Sequence, residues 1–450
     1  MVHRVTPMTS EFSSPRDLAA LIYERWPQEP GSEADRADLR PDEDTLTELI
    51  RVCFQASLLR EEARPVTFRL ILAEPGRFPA EQGPPLGLHR LELGETRPLN
   101  PLELRRLSPA ANVQRSMIGV RWEEEEGLRI WGIIHSGLSW LQNIYGGRGH
   151  SQALPQELVI TVTAPGRLAV GFGAEIIARY DGTRITGPSV NIFQAKWLGR
   201  TFAEAADELV EIHVAARQQA DQQWATLDPT LIRTIATHMM KRMISAVRSS
   251  GHGGTITIIP PEMATQCCGS NQFINVKYRF AEGEPRRRFR TLLVGIMNRL
   301  ATLHGGDGEV EWDLTKPVGW KEYLACSDEE LSTLDDGIFE MAHLIAGCAE
   351  VDGAVVLTKK FELLGFGGEI SGLLPNVEVV RKARDMEGTI YEEETTESVG
   401  TRHRSTYRLC RAIPENLAIV LSQDGGVRFV KFEGNAVTYW DQSSTNSLDV

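Results

Sequence analysis

From residue 327 to 432 the chain switches repeatedly between helical and strand-like spacing of apolar residues, which restricts this part to a sheet with helices packed on it. Ser327-Asp328-Glu329-Glu330 reads as a capping box, in which the serine oxygen and a glutamate satisfy free backbone donors at a helix start. Leu331, Leu334, Ile338, Met341, Ile345 and Cys348 line one face of the helix that follows, and it stops at Glu350-Val351-Asp352-Gly353. Residues 354–357 have the character of a short buried strand. After it the pattern predicts a hairpin over 361–366, an acidic loop over 387–397 and a short helix over 404–412. A strand over 417–421, a turn at 424–426 and a strand over 427–432 complete it. The fold class is α+β or α/β, a C-terminal mixed sheet flanked by helices, preceded by a larger N-terminal α+β region.

That N-terminal region opens with an apolar helical stripe (Leu18, Leu21, Ile22, Trp26) and a polar linker over 28–44. Frequent Pro and Gly between 65 and 101 indicate short strands, such as 66–72, joined by irregular loops. Clearer strands follow at 118–122, 128–134 and 158–162, with a turn at 123–127 and a loop at 146–150. Two helices are expected over 202–224 and 229–248. In the second, Leu231, Ile235, Met239, Met243 and Val247 recur every four residues and must be covered by protein. Gly251-His252-Gly253-Gly254 then leads into a strand at 255–259. A phosphate-cradling loop runs strand, glycines, helix; here the order is reversed, so these glycines read as a helix-ending turn. Arg286, Arg287, Arg288 and Arg290 open an amphipathic helix reaching 303 and read as its solvated face.

At 450 residues, with 42% hydrophobic and 24% charged residues, the chain suits two or three compact units. No stretch approaches the roughly 18 consecutive apolar residues of a membrane span. The start lacks a secretory core, so a cytoplasmic protein without a membrane partner is expected. A formal charge of -13 argues against DNA as a partner. Six cysteines (Cys53, Cys267, Cys268, Cys326, Cys348, Cys410) lack metal-site spacing and read as reduced, buried or half-buried thiols, Cys267-Cys268 being a possible oxidant sensor.

The chemistry concentrates at two short strings. Asp352-Gly353-Ala354 stands at the mouth of a strand, and Gly400-Thr401-Arg402-His403-Arg404 begins a helix. Cationic side chains normally avoid the positive end of a helix dipole, so their presence there fits a bound polyphosphate. An aspartate brought near the same point would ligate the accompanying Mg²⁺ or Mn²⁺.

On these residues the chain resembles the diadenylate cyclase (DAC) family, whose signature is a DGA tripeptide, then GTRHR, then a strand with a serine near its end; here that serine is Ser422. The resemblance covers roughly the segment from 326 onward. It implies condensation of two ATP into cyclic di-AMP with release of pyrophosphate, on a central mixed sheet. By position, it implies Asp352 as the metal-binding residue that helps activate the ribose 3'-hydroxyl, with His403 a further candidate metal neighbour. Gly353 and Ala354 would allow close backbone approach to the nucleotide. Gly400, Thr401, Arg402, His403 and Arg404 would hold the triphosphate and Ser422 its terminal phosphates. A hydroxyl that merely caps the following turn is the other reading of Ser422. Since each site supplies half of the product, two must meet face to face in a homodimer or larger homo-oligomer.

Asp352 and Arg402 are 50 positions apart, longer than the family pattern leads one to expect, with the excess in the charged stretch 376–397. Glu392, Glu393 and Glu394 would repel a triphosphate unless they point away. The alternatives are therefore a nucleotide-binding sensor without turnover, or a cyclase of another nucleotide or a linear product.

The string over 158–176 also aligns without gaps on 352–370, sharing Gly-Phe-Gly and Glu-Ile, with Leu158 in place of Asp352. Either a degenerate copy of the domain lies around 117–190 or two hairpins converge. The expected organisation is an N-terminal helix and linker (1–45), a sensor or regulatory region (46–315) answering to an unidentified small-molecule or protein signal, a catalytic domain (326–440) after a boundary near 317–327, and a polar tail (441–450).

Overall fold

The computed structural model describes residues 3–4, 13–27, 40–84, 87–137, 140, 156–173, 175–187, 190–267, 273–306, 308–423 and 425–442. The chain forms two compact units, one built mainly from Met8–Ile144 and Gly149–Ser189, the other mainly from Val190–Ser443. The later unit also takes in β1 (His3–Arg4).

In the earlier unit, α1 (Pro15–Glu24), α2 (Glu43–Ser57) and α3 (Pro101–Leu107) are each started by a side-chain cap, from Ser14, Asp42 and Asn100. Besides the short ladder of β2 (Arg60–Glu61) and β3 (Arg64–Pro65), its strands are β4 (Phe68–Leu72), β5 (His89–Pro98), β6 (Ser116–Glu123), β7 (Gly127–His135), β8 (Leu158–Ala164), β9 (Arg167–Phe172), β10 (Glu175–Tyr180) and β11 (Ile185–Thr186). The last eight form one sheet in the order β11-β10-β9-β8-β4-β6-β7-β5. Leu18, Leu49, Leu70, Ile118 and Ile160 share one core. Ile71, Met117, Trp131 and Trp140 form a second, where the Trp131 indole donates to the Ala73 carbonyl at 2.8 Å. The expected strands at 118–122, 128–134 and 158–162 are present. α3 was not expected, because a single turn-rich segment among prolines reads as loop. The 146–150 loop and residues 28–39 of the expected linker lie outside the described residues.

The later unit contains α4 (Lys196–Thr201), α5 (Ala203–Gln219), α6 (Leu231–Ser250), α7 (Glu284–Leu303), α8 (Trp320–Ala325), α9 (Glu329–Ala349) and α10 (Thr401–Ala412). Its strands are β12 (Gly254–Ile259), β13 (Ile274–Arg279), β14 (Ala354–Thr358), β15 (Leu363–Ile370), β16 (Val379–Ala383), β17 (Ile390–Thr395), β18 (Leu417–Leu421), β19 (Val427–Glu433) and β20 (Ala436–Gln442). With β1 they make a ten-stranded mixed sheet, β1-β17-β16-β20-β19-β18-β12-β14-β15-β13. Alternate residues of the central strands feed different cores: Ile256, Val355 and Ile419 join the apolar faces of α6, α7 and α9, while Val356 and Val420 join cores that include residues of α10. A buried ion pair at 3.1 Å, Arg242 to Asp335, ties α6 to α9, and the Tyr323 hydroxyl donates to the same carboxylate at 2.7 Å.

Several expectations need correction. The unit boundary lies near 190, not 317–327, because β12 and β13 precede that point yet are members of the same sheet as β14 and β18. Asp328, not Ser327, caps α9, accepting from the Leu331 amide at 2.8 Å. The acidic stretch 387–397 is no loop: β17 pairs antiparallel with β16, setting Lys382 opposite Glu392. Arg286 is buried and pairs with Glu362 at 3.2 Å, and Arg290 pairs with Glu208; only Arg287 and Arg288 are exposed. Phe361, at φ 57, belongs to the turn between β14 and β15. Asp441 and Gln442 belong to β20, and the rest of the expected tail lies outside the described residues.

The internal echo joins two hairpins of different build. Ile160 faces Val170, but its aligned counterpart Ala354 faces Gly368. The other neighbour of β8 is antiparallel β4, whereas that of β14 is parallel β12. A degenerate copy of the later unit at 117–190 is therefore not what the sheet contains.

Cys53, Cys348 and Cys410 are buried free thiols and Cys326 is half-buried. Burial pushes the Cys410 thiol up to about 12, so it stays protonated. The side chains of Cys267 and Cys268 lie outside the described residues. Among the described residues no helix is long and apolar enough to cross a membrane.

Candidate functional site

One end of the later sheet gathers most of the residues singled out in the sequence. β14 runs parallel to β12 with Thr255 opposite Ala354, and β12 runs antiparallel to β18 with Gly254 opposite Leu421. Continued by two steps and by one step respectively, the registers bring Asp352, Gly253 and Ser422 level across three neighbouring strands. Ordinary strand spacing makes the outer two about 10 Å apart.

Asp352 follows the end of α9 and is exposed; no hydrogen bond fixes its carboxylate among the described residues. Gly353 adopts φ 115, and a Cβ there would fall 2.6 Å from the Gly367 carbonyl carbon. Only glycine fits that backbone. Across β15, Lys277 of β13 pairs with Glu369 at 2.6 Å. Glu369 chiefly holds the Lys277 ammonium above its usual range, and the Asp352 carboxylate adds to the attraction.

α10 supplies the other half. Gly400 is its N-cap and offers no side chain, so the Thr401 and Arg402 amides begin the helix without a side-chain acceptor. The first turn holds no acidic residue, only Arg402, His403 and Arg404 with Thr401. The half-buried Arg402 donates from Nη1 to the Leu421 carbonyl at 3.2 Å, and a Cβ on Gly253 would lie 2.9 Å from the same nitrogen. The helix start is thus tied to the end of β18 and to the Gly253 turn. Thr401 and Arg404 are exposed, while His403 is half-buried with its ring 6.4 Å from that of Tyr407. Ser422 donates its hydroxyl to the Gly426 carbonyl at 3.2 Å and its amide to the same oxygen at 2.9 Å, so it serves the turn; Asp424 of that turn lies outside the described residues.

Sequence reading missed two participants. Gly253 belongs to the helix-ending turn that the sequence predicts, since Gly251 caps α6 at φ 67. Its nearness to Arg402 follows only from strand register. Lys277, on an edge strand, pairs with Glu369 and feels the Asp352 carboxylate only through its charge, and it carries no local signal.

Among the described residues no three metal-ligating side chains cluster. A lone carboxylate at Asp352 suits a magnesium-type ion, which is commonly bound by one or two carboxylates together with the phosphates of its substrate. Two of the three glutamates that threatened the site are engaged elsewhere. Glu392 pairs with Arg384, Glu394 accepts from the Tyr439 hydroxyl, and Lys382 lies 3.8 Å from Glu394. The hairpin carrying them lies three and four strands beyond β18, about 14 to 19 Å away by strand spacing.

Comparison with known proteins gives one family match, to the model described as Probable sensor domain DACNV, over residues 35–135. It supports a sensor domain in the part of the chain running from α2 to β7. No curated protein and no solved structure matches the chain.

Proposed function

We propose that this chain is a diadenylate cyclase, condensing two ATP into cyclic di-AMP with release of pyrophosphate under the control of its N-terminal region. The observation that carries the proposal is the arginine-bearing start of α10, docked through Arg402 at the sheet end where Asp352 emerges. A helix start whose first turn is basic and uncapped attracts a polyphosphate by charge, by free amides and by its dipole. Arg404 and Thr401, being exposed, are available to a triphosphate, and Asp352 is available to the attacking 3'-hydroxyl. Nucleotidyl transfer asks mainly for alignment and charge neutralisation, which this inventory supplies without a covalent nucleophile. Mg²⁺ or Mn²⁺, carried largely by the triphosphate, would add neutralising charge. The designation of the matched N-terminal domain, whose name associates it with diadenylate cyclases, supports the same reading.

The purified chain incubated with ATP and Mn²⁺ or Mg²⁺ should yield cyclic di-AMP by mass spectrometry. Turnover per chain should rise with protein concentration, because two sites must meet. Asp352→Asn should abolish product while leaving ATP affinity within a few-fold. ATP binding without any dinucleotide from the wild-type chain would reject the cyclase in favour of a nucleotide sensor; a linear or non-adenine product would reject the stated specificity.

A further inference from the structure

A cavity of about 390 Å³ lies within the later unit, between α4, α5, the first half of α6 and α7, with Lys360 and Phe361 at one end. Its size falls within the usual range for small-molecule sites. It lies apart from the site above: Lys241, its lining residue nearest the Gly251 turn, is about 15 Å from that turn along α6.

What the cavity offers a guest follows from how its polar groups are already used. The Asn191 side chain accepts from the Phe193 amide at 3.2 Å, and the Thr230 hydroxyl donates to Asp228 at 2.6 Å. The Thr234 and Thr237 hydroxyls donate to the carbonyls of Thr230 and Arg233, at 3.0 and 2.8 Å. Arg290 and Lys360 share Glu208, the Lys241 ammonium lies 5.2 Å from the Phe193 ring, and Arg233 is exposed to water. His238 stacks on Trp320 with centroids 4.3 Å apart; burial pushes its pKa down to about 3, so its ring adds surface without charge. None of these groups requires a charged guest.

The larger part of the lining is apolar, with Leu209, Ile232 and Met240 among its residues. Phe202 and Phe361 stack with centroids 5.0 Å apart, and Phe361 also meets Phe289 at 4.9 Å, giving the cavity an aromatic side. Phe193 and Phe202 pack against the main core of the unit yet are only half-buried. Apolar rings half-covered beside an open space keep surface wet and forgo dispersion contacts, and an apolar guest recovers both.

We infer that this cavity is the binding site of an uncharged, largely apolar small molecule, seated against Phe193, Phe202 and Phe361. A charged group carried into these walls would lose its hydration. The inference does not depend on turnover at Asp352.

Uncharged N-phenylnaphthylamine, titrated into the full-length protein and followed by its fluorescence, should bind saturably, one per chain. Anilinonaphthalene sulfonate, the same ring skeleton with an anionic group added, should bind no more tightly. Lys241→Gln should leave the affinity for the uncharged probe within about threefold. A side chain at Gly199 would enter open space, since no atom lies within 4 Å of its Cβ position, and Thr234 lines the cavity from α6. Gly199→Phe and Thr234→Phe should therefore narrow the cavity from two sides and weaken the probe by about tenfold or more. If one of the two fails to fold by circular dichroism, the other decides, and if both fail, the two probes on the wild-type chain decide. Absence of saturable binding, tighter binding of the sulfonate, a loss of more than about tenfold in Lys241→Gln, or undiminished binding in the folded Phe variants would each overturn the inference.

Discussion

The hairpins β8–β9 and β14–β15 spell the same Gly-Phe-Gly and meet the same mechanical demand in different surroundings. At the first glycine of each, Gly171 and Gly365, a Cβ would strike a carbonyl oxygen of the next strand, Glu175 at 1.9 Å and Tyr278 at 2.2 Å. At the second, Gly173 and Gly367, φ is 55 and 64. In the earlier unit the chain then turns back into β10; in the later one it continues along β15 past Gly353. A shared string here reports crowded backbone rather than shared chemistry. What separates the two is the residue at the strand mouth: Leu158 is buried in the sheet, and Asp352 is open to solvent.

The strongest way to break this comparison is to force the aspartate onto the wrong hairpin. Leu158→Asp buries an unpaired carboxylate and should destabilise the earlier unit by about 4 kcal/mol or more in urea unfolding. A mild effect would show that β8 tolerates the aspartate and that the hairpins are more alike than their registers. Next, Gly353→Ala combines a left-handed φ with a backbone clash and should cost the later unit about 3 kcal/mol. Gly171→Ala and Gly365→Ala should each cost about 2 to 3 kcal/mol in their own unit. If only one of the pair is destabilising, the common mechanical explanation of the string is wrong. Smallest of all, Asp352→Asn should leave the urea midpoint within the equivalent of about 0.5 kcal/mol, since nothing packs on that carboxylate. A larger shift would mark Asp352 as a structural residue.

Much of the later unit was legible because burial imposes period. The apolar rows of α6 and α9 and the continuous runs of β14 and β18 could belong only to covered helices and central strands. The β16–β17 hairpin was not legible, because its cross-strand partners are charges, Lys382 against Glu392 and Arg381 against Glu393, and a salt-bridged flank reads as a polar loop. The unit boundary failed for a related reason: β12 finds its neighbours about a hundred or more residues later, and no local signal encodes that pairing. Of the candidate site, the two strings and Ser422 stood out through spacing and family resemblance. Gly253 and Lys277 join only through register.

Gly353 and Arg402 are held by the architecture itself, one by the backbone of Gly367, the other by the Leu421 carbonyl. Asp352, Thr401 and Arg404 are exposed. The two groups should therefore part company under neutral drift. In a lineage that stopped using this end of the sheet, the first two would persist as scaffold while the other three decayed. Presence of the motif's glycine and first arginine is thus poor testimony to a working site in any relative, and the three exposed residues are the ones to read.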